Sequence, residues 1–75
     1  MITNGITLYH IATGIIEEVA LNGKEMQLAM DKGPDLNDSW AMMCESVESR
    51  TGLAIMDGNW ELEHLILGGE KKVLH

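Results

Sequence analysis

Only one stretch of this chain carries apolar residues at helical spacing. Between Asn37 and Arg50, Trp40, Met43, Cys44 and Val47 fall at i, i+3, i+4 and i+7, the width of stripe that a core-facing helix needs. The remaining face carries Glu45, Ser46, Glu48, Ser49 and Arg50. Asn37, Asp38 and Ser39 each offer an oxygen to an orphan N–H of the first turn, Arg50 suits the negative C-terminal end, and Gly52 supplies the stop. The spacing predicts a helix over 37–50.

Elsewhere the alternation is at period two and predicts strands. Asn22-Gly23 between alternating runs predicts a tight hairpin. Val19 then faces Met26, Ile15 faces Met30 and Leu21 faces Lys24, with Glu18, Gln27, Ala20 and Glu25 on the opposite side. Helix competes for residues 24–31, because Asn22 suits a cap and Gly33-Pro34 a stop, but the alternation of Met26, Leu28 and Met30 favours strand. A two-residue turn at Thr13-Gly14 sets Ile6 against Leu21, Leu8 against Val19 and His10 against Glu17, selecting the same apolar face. A three-residue loop with a bulge there would flip the first strand.

Beyond the helix, Asp57-Gly58 predicts a hairpin between residues 53–56 and 60–67, pairing Ile55 with Trp60 and Leu53 with Leu62. Gly68-Gly69 permits a last hairpin, with His64 opposite Val73 and Leu65 opposite Lys72, which makes Glu70 to Leu74 a candidate sixth strand. The expected fold class is α+β: an antiparallel β meander in the order β-β-β-α-β-β, plus that candidate strand, with one amphipathic helix packed on the sheet. Residues 1–75 form a single domain.

A chain of 75 residues buries only ~60% of the surface its unfolded form exposes. Its core must come from Leu, Ile, Val and six Met, since Phe is absent and Trp40, Trp60 and Tyr9 are the only aromatics. Self-association is one way for so small a chain to bury more surface. The lone Cys44 excludes an internal disulfide and fits a reducing cytoplasm. No apolar run approaches a membrane span and no signal peptide is evident, so a soluble, cytoplasmic protein is expected.

Charge changes the picture more. Twelve acids against five bases give a net charge of −7, and residues 35–63 hold seven acids against Arg50 alone, net −6. That excess argues against direct nucleic-acid binding, which needs clustered Lys and Arg, and suits a partner with a basic surface. The plainer reading is solubility.

Candidate chemistry is thin. His10 facing Glu17 would be an acid–base pair, or simply two polar residues satisfying each other. Cys44, on the apolar stripe with Glu45 and Glu48 nearby, has nothing to lower its pKa and reads as a small buried hydrophobe. His10, His64, His75 and Cys44 lack metal-ligand spacing, Asp31, Asp35 and Asp38 lack the offsets of a calcium loop, and no glycine pattern makes a phosphate loop. No catalytic residue, metal or cofactor is assigned.

The expected function is therefore that of a small acidic, non-enzymatic binding protein acting through protein–protein contacts. Its sharpest form is an inhibitor that occupies a nucleic-acid groove on a basic protein, as some phage-encoded inhibitors of host defence do. The expected partner-binding residues are Asp35, Asp38, Met42, Glu45, Glu48, Ser49, Asp57, Glu61 and Glu63. The alternative is a structural homo-oligomer, with Tyr9, Ile11 and Ile16 as an exposed apolar interface; a His/Glu enzyme or metal protein ranks last.

Overall fold

The structure, a computed structural model, describes residues 2–31 and 38–74. In chain order its elements are β1 (Gly5–His10), β2 (Ile16–Ala20), α1 (Gly23–Asp31), α2 (Asp38–Thr51), β3 (Trp60–Leu67) and β4 (Glu70–Val73). The strands form one antiparallel sheet in the order β2-β1-β3-β4. The helices cover one face of it, so the chain is an α+β domain with four strands and two helices among the described residues.

The helix expected over 37–50 is α2, and its buried residues are Met43, Cys44 and Val47, with Trp40 packed at the margin. Gly52 takes a positive φ of 77° just past the last turn, as a helix-stopping residue should. The core joins this stripe to Ile6 and Leu8 of β1, Val19 of β2, Leu65 of β3, Ala29 of α1, and Leu21 and Ile55 from the connections.

The strand expected over 24–30 is instead the helix α1, so the order is β-β-α-α-β-β. Two causes outweigh the alternation of Met26, Leu28 and Met30. From Lys24 to Met30 every residue is a good helix former and none is β-branched or aromatic. Asn22 and Glu25 also form a reciprocal capping box: the Glu25 N–H donates to Asn22 Oδ1 at 2.8 Å, and the Asn22 N–H donates to Glu25 Oε1 at 3.0 Å.

The Glu25 carboxylate is fully buried. Besides the Asn22 N–H, Oε1 accepts from Arg50 Nη2 at 2.8 Å, while Oε2 accepts from Ser46 Oγ at 2.7 Å and Arg50 Nε at 3.2 Å. Arg50 Nη2 also donates to the Ala20 carbonyl at 2.7 Å. One acid thus ties the start of α1 to the end of α2 and, through Arg50, to the end of β2. At the other end of this antiparallel helix pair, Ser39 Oγ donates to Asp31 Oδ2 at 3.0 Å.

The β1–β2 register differs from expectation by two residues: Ile6 faces Val19, Leu8 faces Glu17 and Tyr9 faces Ile16. The connecting loop is longer than a two-residue turn. His10 N–H donates to the Ile15 carbonyl, and the Thr13 hydroxyl accepts the Ile15 N–H. A slip of two leaves every side chain on its expected face, so Ile6, Leu8, Val19 and Leu21 still point to the core. Residues 53–56 do not form a strand. Ile55 is buried as expected, but its segment turns on bonds from Ile55 N–H to Leu53 O and from Met56 N–H to Glu48 Oε2. The last hairpin has the expected register, His64 opposite Val73 and Leu65 opposite Lys72, closed by Gly68 and Gly69, both with positive φ.

The neighbours Met42 and Met43 test the orientation of α2, since Met43 is fully buried and Met42 half-exposed. Met43→Ala should cost about 2–5 kcal/mol in urea unfolding and Met42→Ala less than about 0.5 kcal/mol; equal losses would contradict it. Glu25 tests the polar hub. Burial pushes its pKa up, but the hydrogen bonds from Arg50, the Asn22 N–H and Ser46 together hold it below 4.5. Its contribution is therefore complete above pH 4.5 and lost as pH falls through the lower folded value. Glu25→Gln should remove that part of the acid dependence of the urea midpoint, while Arg50→Ala should shift the loss to higher pH. An acid limb unchanged in both variants would contradict the hub.

Candidate functional site

Two surfaces, on opposite layers, hold most of the residues on which function was expected to rest. On the helix layer, α2 turns Asp38, Met42, Glu45 and Ser49 outward, all exposed and at i, i+4, i+7 and i+11. That spacing keeps them within one narrow face, away from the Met43–Val47 stripe. The result is a methionine framed by two carboxylates and a hydroxyl.

The other expected partner residues are dispersed. Glu48 is half-buried and accepts the Met56 N–H at 3.1 Å, which commits it to the loop after α2. In that loop Asp57 accepts the backbone and side-chain N–H groups of Asn59, at 2.9 and 3.0 Å. Those two bonds hold its carboxyl below the ordinary 3.8. Glu61 is exposed on β3 and points to the sheet face away from the helices. Glu63 sits at the irregularity where β3 shifts register against β1. Asp35 lies outside the described residues.

The outer face of the sheet carries the second surface. Tyr9 and Ile16 are direct cross-strand neighbours there. Ile11, the third residue of the expected apolar interface, lies beyond β1 in the loop, its N–H donated to the Asn59 carbonyl. Thr7, Tyr9, Ile16, Glu63, His64 and Lys71 line a depression of about 310 Å³. At its floor Thr7 Oγ1 and His64 Nδ1 share a hydrogen bond of 2.9 Å, which satisfies a threonine that is almost wholly buried. Across its mouth Lys71 Nζ reaches Glu18 Oε2 at 3.3 Å, linking the two outermost strands.

Among the described residues, the groups singled out as candidate chemistry do not come together on either surface. His10 does not meet Glu17, which is exposed opposite Leu8. Its ring stands edge-on to Trp60, centroids 4.7 Å apart, and its Nδ1 accepts the Thr13 N–H at 3.3 Å. The two-residue register slip causes this separation. Cys44 is buried, and burial followed by the charge of Glu48 pushes its thiol up to about 11, the opposite of what a nucleophile needs. Among the described residues no three His, Cys, Asp or Glu side chains converge to hold a metal ion, and no helix is long and apolar enough to cross a membrane.

Two features were missed from sequence. The alternation predicts Glu25 on an outward strand face, whereas the Asn22–Glu25 spacing of a capping box is the signal for its real position. The Thr7–His64 pair had no sequence signal, because it depends on the pairing of β1 with β3 across 57 residues of chain. No protein-family model matches the chain, and neither curated proteins nor solved structures show a significant similarity to it.

Proposed function

We propose that this chain is a small non-enzymatic binding protein that works through protein–protein contacts, presenting the outer face of α2 to a partner with a basic surface. The observation that carries the reading is the exposed stripe of Asp38, Met42, Glu45 and Ser49 in a chain of net charge −7. An apolar side chain framed by acids suits a partner patch in which Lys or Arg surrounds a hydrophobic contact. The charges steer the encounter and the methionine, soft and adaptable, supplies buried area.

The sharper form of the proposal is an inhibitor that fills a nucleic-acid groove. Asp38 and Glu45 stand about 10 Å apart along the helix axis, so two carboxylates on one face can meet two separate cations lining such a groove. Glu61 and Glu63, on the sheet, belong to a different surface and take no part in this contact.

The test is capture from extract of the native cell on the immobilised chain, compared with an Asp38→Lys, Glu45→Lys variant. The expected result is a basic nucleic-acid-binding protein held by the wild type, lost from the variant, and released as salt rises to about 1 M, where the screening length falls to about 3 Å. Equal retention by both chains, or binding indifferent to salt, would overturn the reading.

A further inference from the structure

The two outermost strands carry opposite charge. β2 reads Ile16-Glu17-Glu18-Val19-Ala20 and β4 reads Glu70-Lys71-Lys72-Val73. Among the described residues neither strand has a neighbour on its outer side. Every residue of β4 is exposed, as is every residue of β2 except Val19. Such an edge is a row of unpaired N–H and C=O groups ready to accept another strand.

We propose that the chain associates head to tail with further copies of itself, β4 of one copy pairing antiparallel with β2 of the next, so that one sheet runs through successive molecules. This stands apart from the acidic face of α2, which lies on the helix layer.

Strand direction, hydrogen bonding and side-chain chemistry agree on one register. Each strand in the order β2-β1-β3-β4 is antiparallel to its neighbour, so a translated copy places its β2 antiparallel to β4 with the helix layers on the same side. The bonds from Leu21 N–H to Asn4 O and from His10 N–H to Ile15 O leave the backbone groups of Ile16, Glu18 and Ala20 pointing outward from β2. The bond from Leu74 N–H to Glu63 O likewise leaves those of Lys71 and Val73 pointing outward from β4. Arg50 already occupies the Ala20 carbonyl.

Pairing the free groups sets Lys71 against Glu18 of the next copy and Val73 against its Ile16. Lys72 then falls opposite Glu17 on the helix-side face. Two opposite-charge pairs and one apolar pair form together, and the apolar pair joins two of the most exposed hydrophobic residues in the structure, Val73 at 66% and Ile16 at 67%.

Other arrangements lose these pairs. A slip of two residues, the smallest that keeps the faces, either sets Glu70 against Glu17 or leaves both lysines opposite Val19 and Ala20. Pairing like edges about a two-fold axis sets Glu17, Glu18, Lys71 or Lys72 against its own copy in the registers of best overlap. The contact is therefore heterologous, and successive copies build a ring or an open filament. Within one molecule Lys71 already reaches Glu18, but both side chains are about half-exposed, so that bond is weak and exchangeable.

A charge swap tests the pairing in the full chain. Lys71→Glu, Lys72→Glu makes both edges acidic; Glu17→Lys, Glu18→Lys makes both basic. Light scattering over a concentration series at constant ionic strength should give a wild-type mass that climbs to at least twice the monomer, monomers for each variant alone, and recovery in their equal mixture. Val73→Pro should also stay monomeric, because it removes only an outward N–H and leaves the bonds to β3 intact; circular dichroism confirms that each variant folds. A wild type that stays monomeric overturns the proposal, as does a mixture that fails to recover, or a proline variant that assembles like the wild type.

Discussion

A buried carboxylate is costly unless every lone pair is used, and Glu25 uses all of its own. Two bonds come from Arg50, one from Ser46 and one from the Asn22 backbone. The position is also electrostatically favoured twice over: the acid sits in the first turn of α1 and the arginine in the last turn of α2, each complementing its own helix dipole. Because Arg50 extends to the Ala20 carbonyl, the same group also anchors the end of β2. In a chain with so small an apolar core, this hub sets how the helix pair lies on the sheet.

That arrangement divides the surface by layer. The helix pair turns the Asp38–Ser49 stripe outward on one side, while the outer face of the sheet carries the Thr7–His64 pair and the Lys71–Glu18 bridge. The sheet margins differ in sign, acidic at β2 and basic at β4. Nothing in these groups resembles an activated nucleophile or a poised acid–base pair. On the proposed reading, their charge placement selects partner and orientation.

How much of this was legible in the sequence depended on whether local signals competed. The α2 stripe had no rival and was readable to within a residue. The Gly68-Gly69 hairpin was readable to its register, because two glycines with positive φ leave the flanking strands one way to pair. At residues 22–31 two local codes overlapped. Asn-Gly with alternating methionines reads as a hairpin, but Asn22 three residues before Glu25 also reads as a capping box, and the carboxylate's three tertiary and capping partners decided for helix. The β1–β2 register failed by two because Thr13 holds a longer loop through side-chain bonds that turn statistics do not contain. Faces survived that error, since they depend on parity, whereas the supposed His10–Glu17 site did not. The acidic set was legible as composition only; its split between layers follows from topology.

The central claim is that Glu25 and Arg50 act as one unit, and a double-mutant cycle measures it most directly. Urea unfolding at neutral pH of wild type, Glu25→Gln, Arg50→Met and the double variant should give a coupling of about 1–3 kcal/mol, with the double variant losing much less than the two single losses together. Losses that add to within about 0.5 kcal/mol would show that the two residues stabilise the fold independently, and would contradict the account.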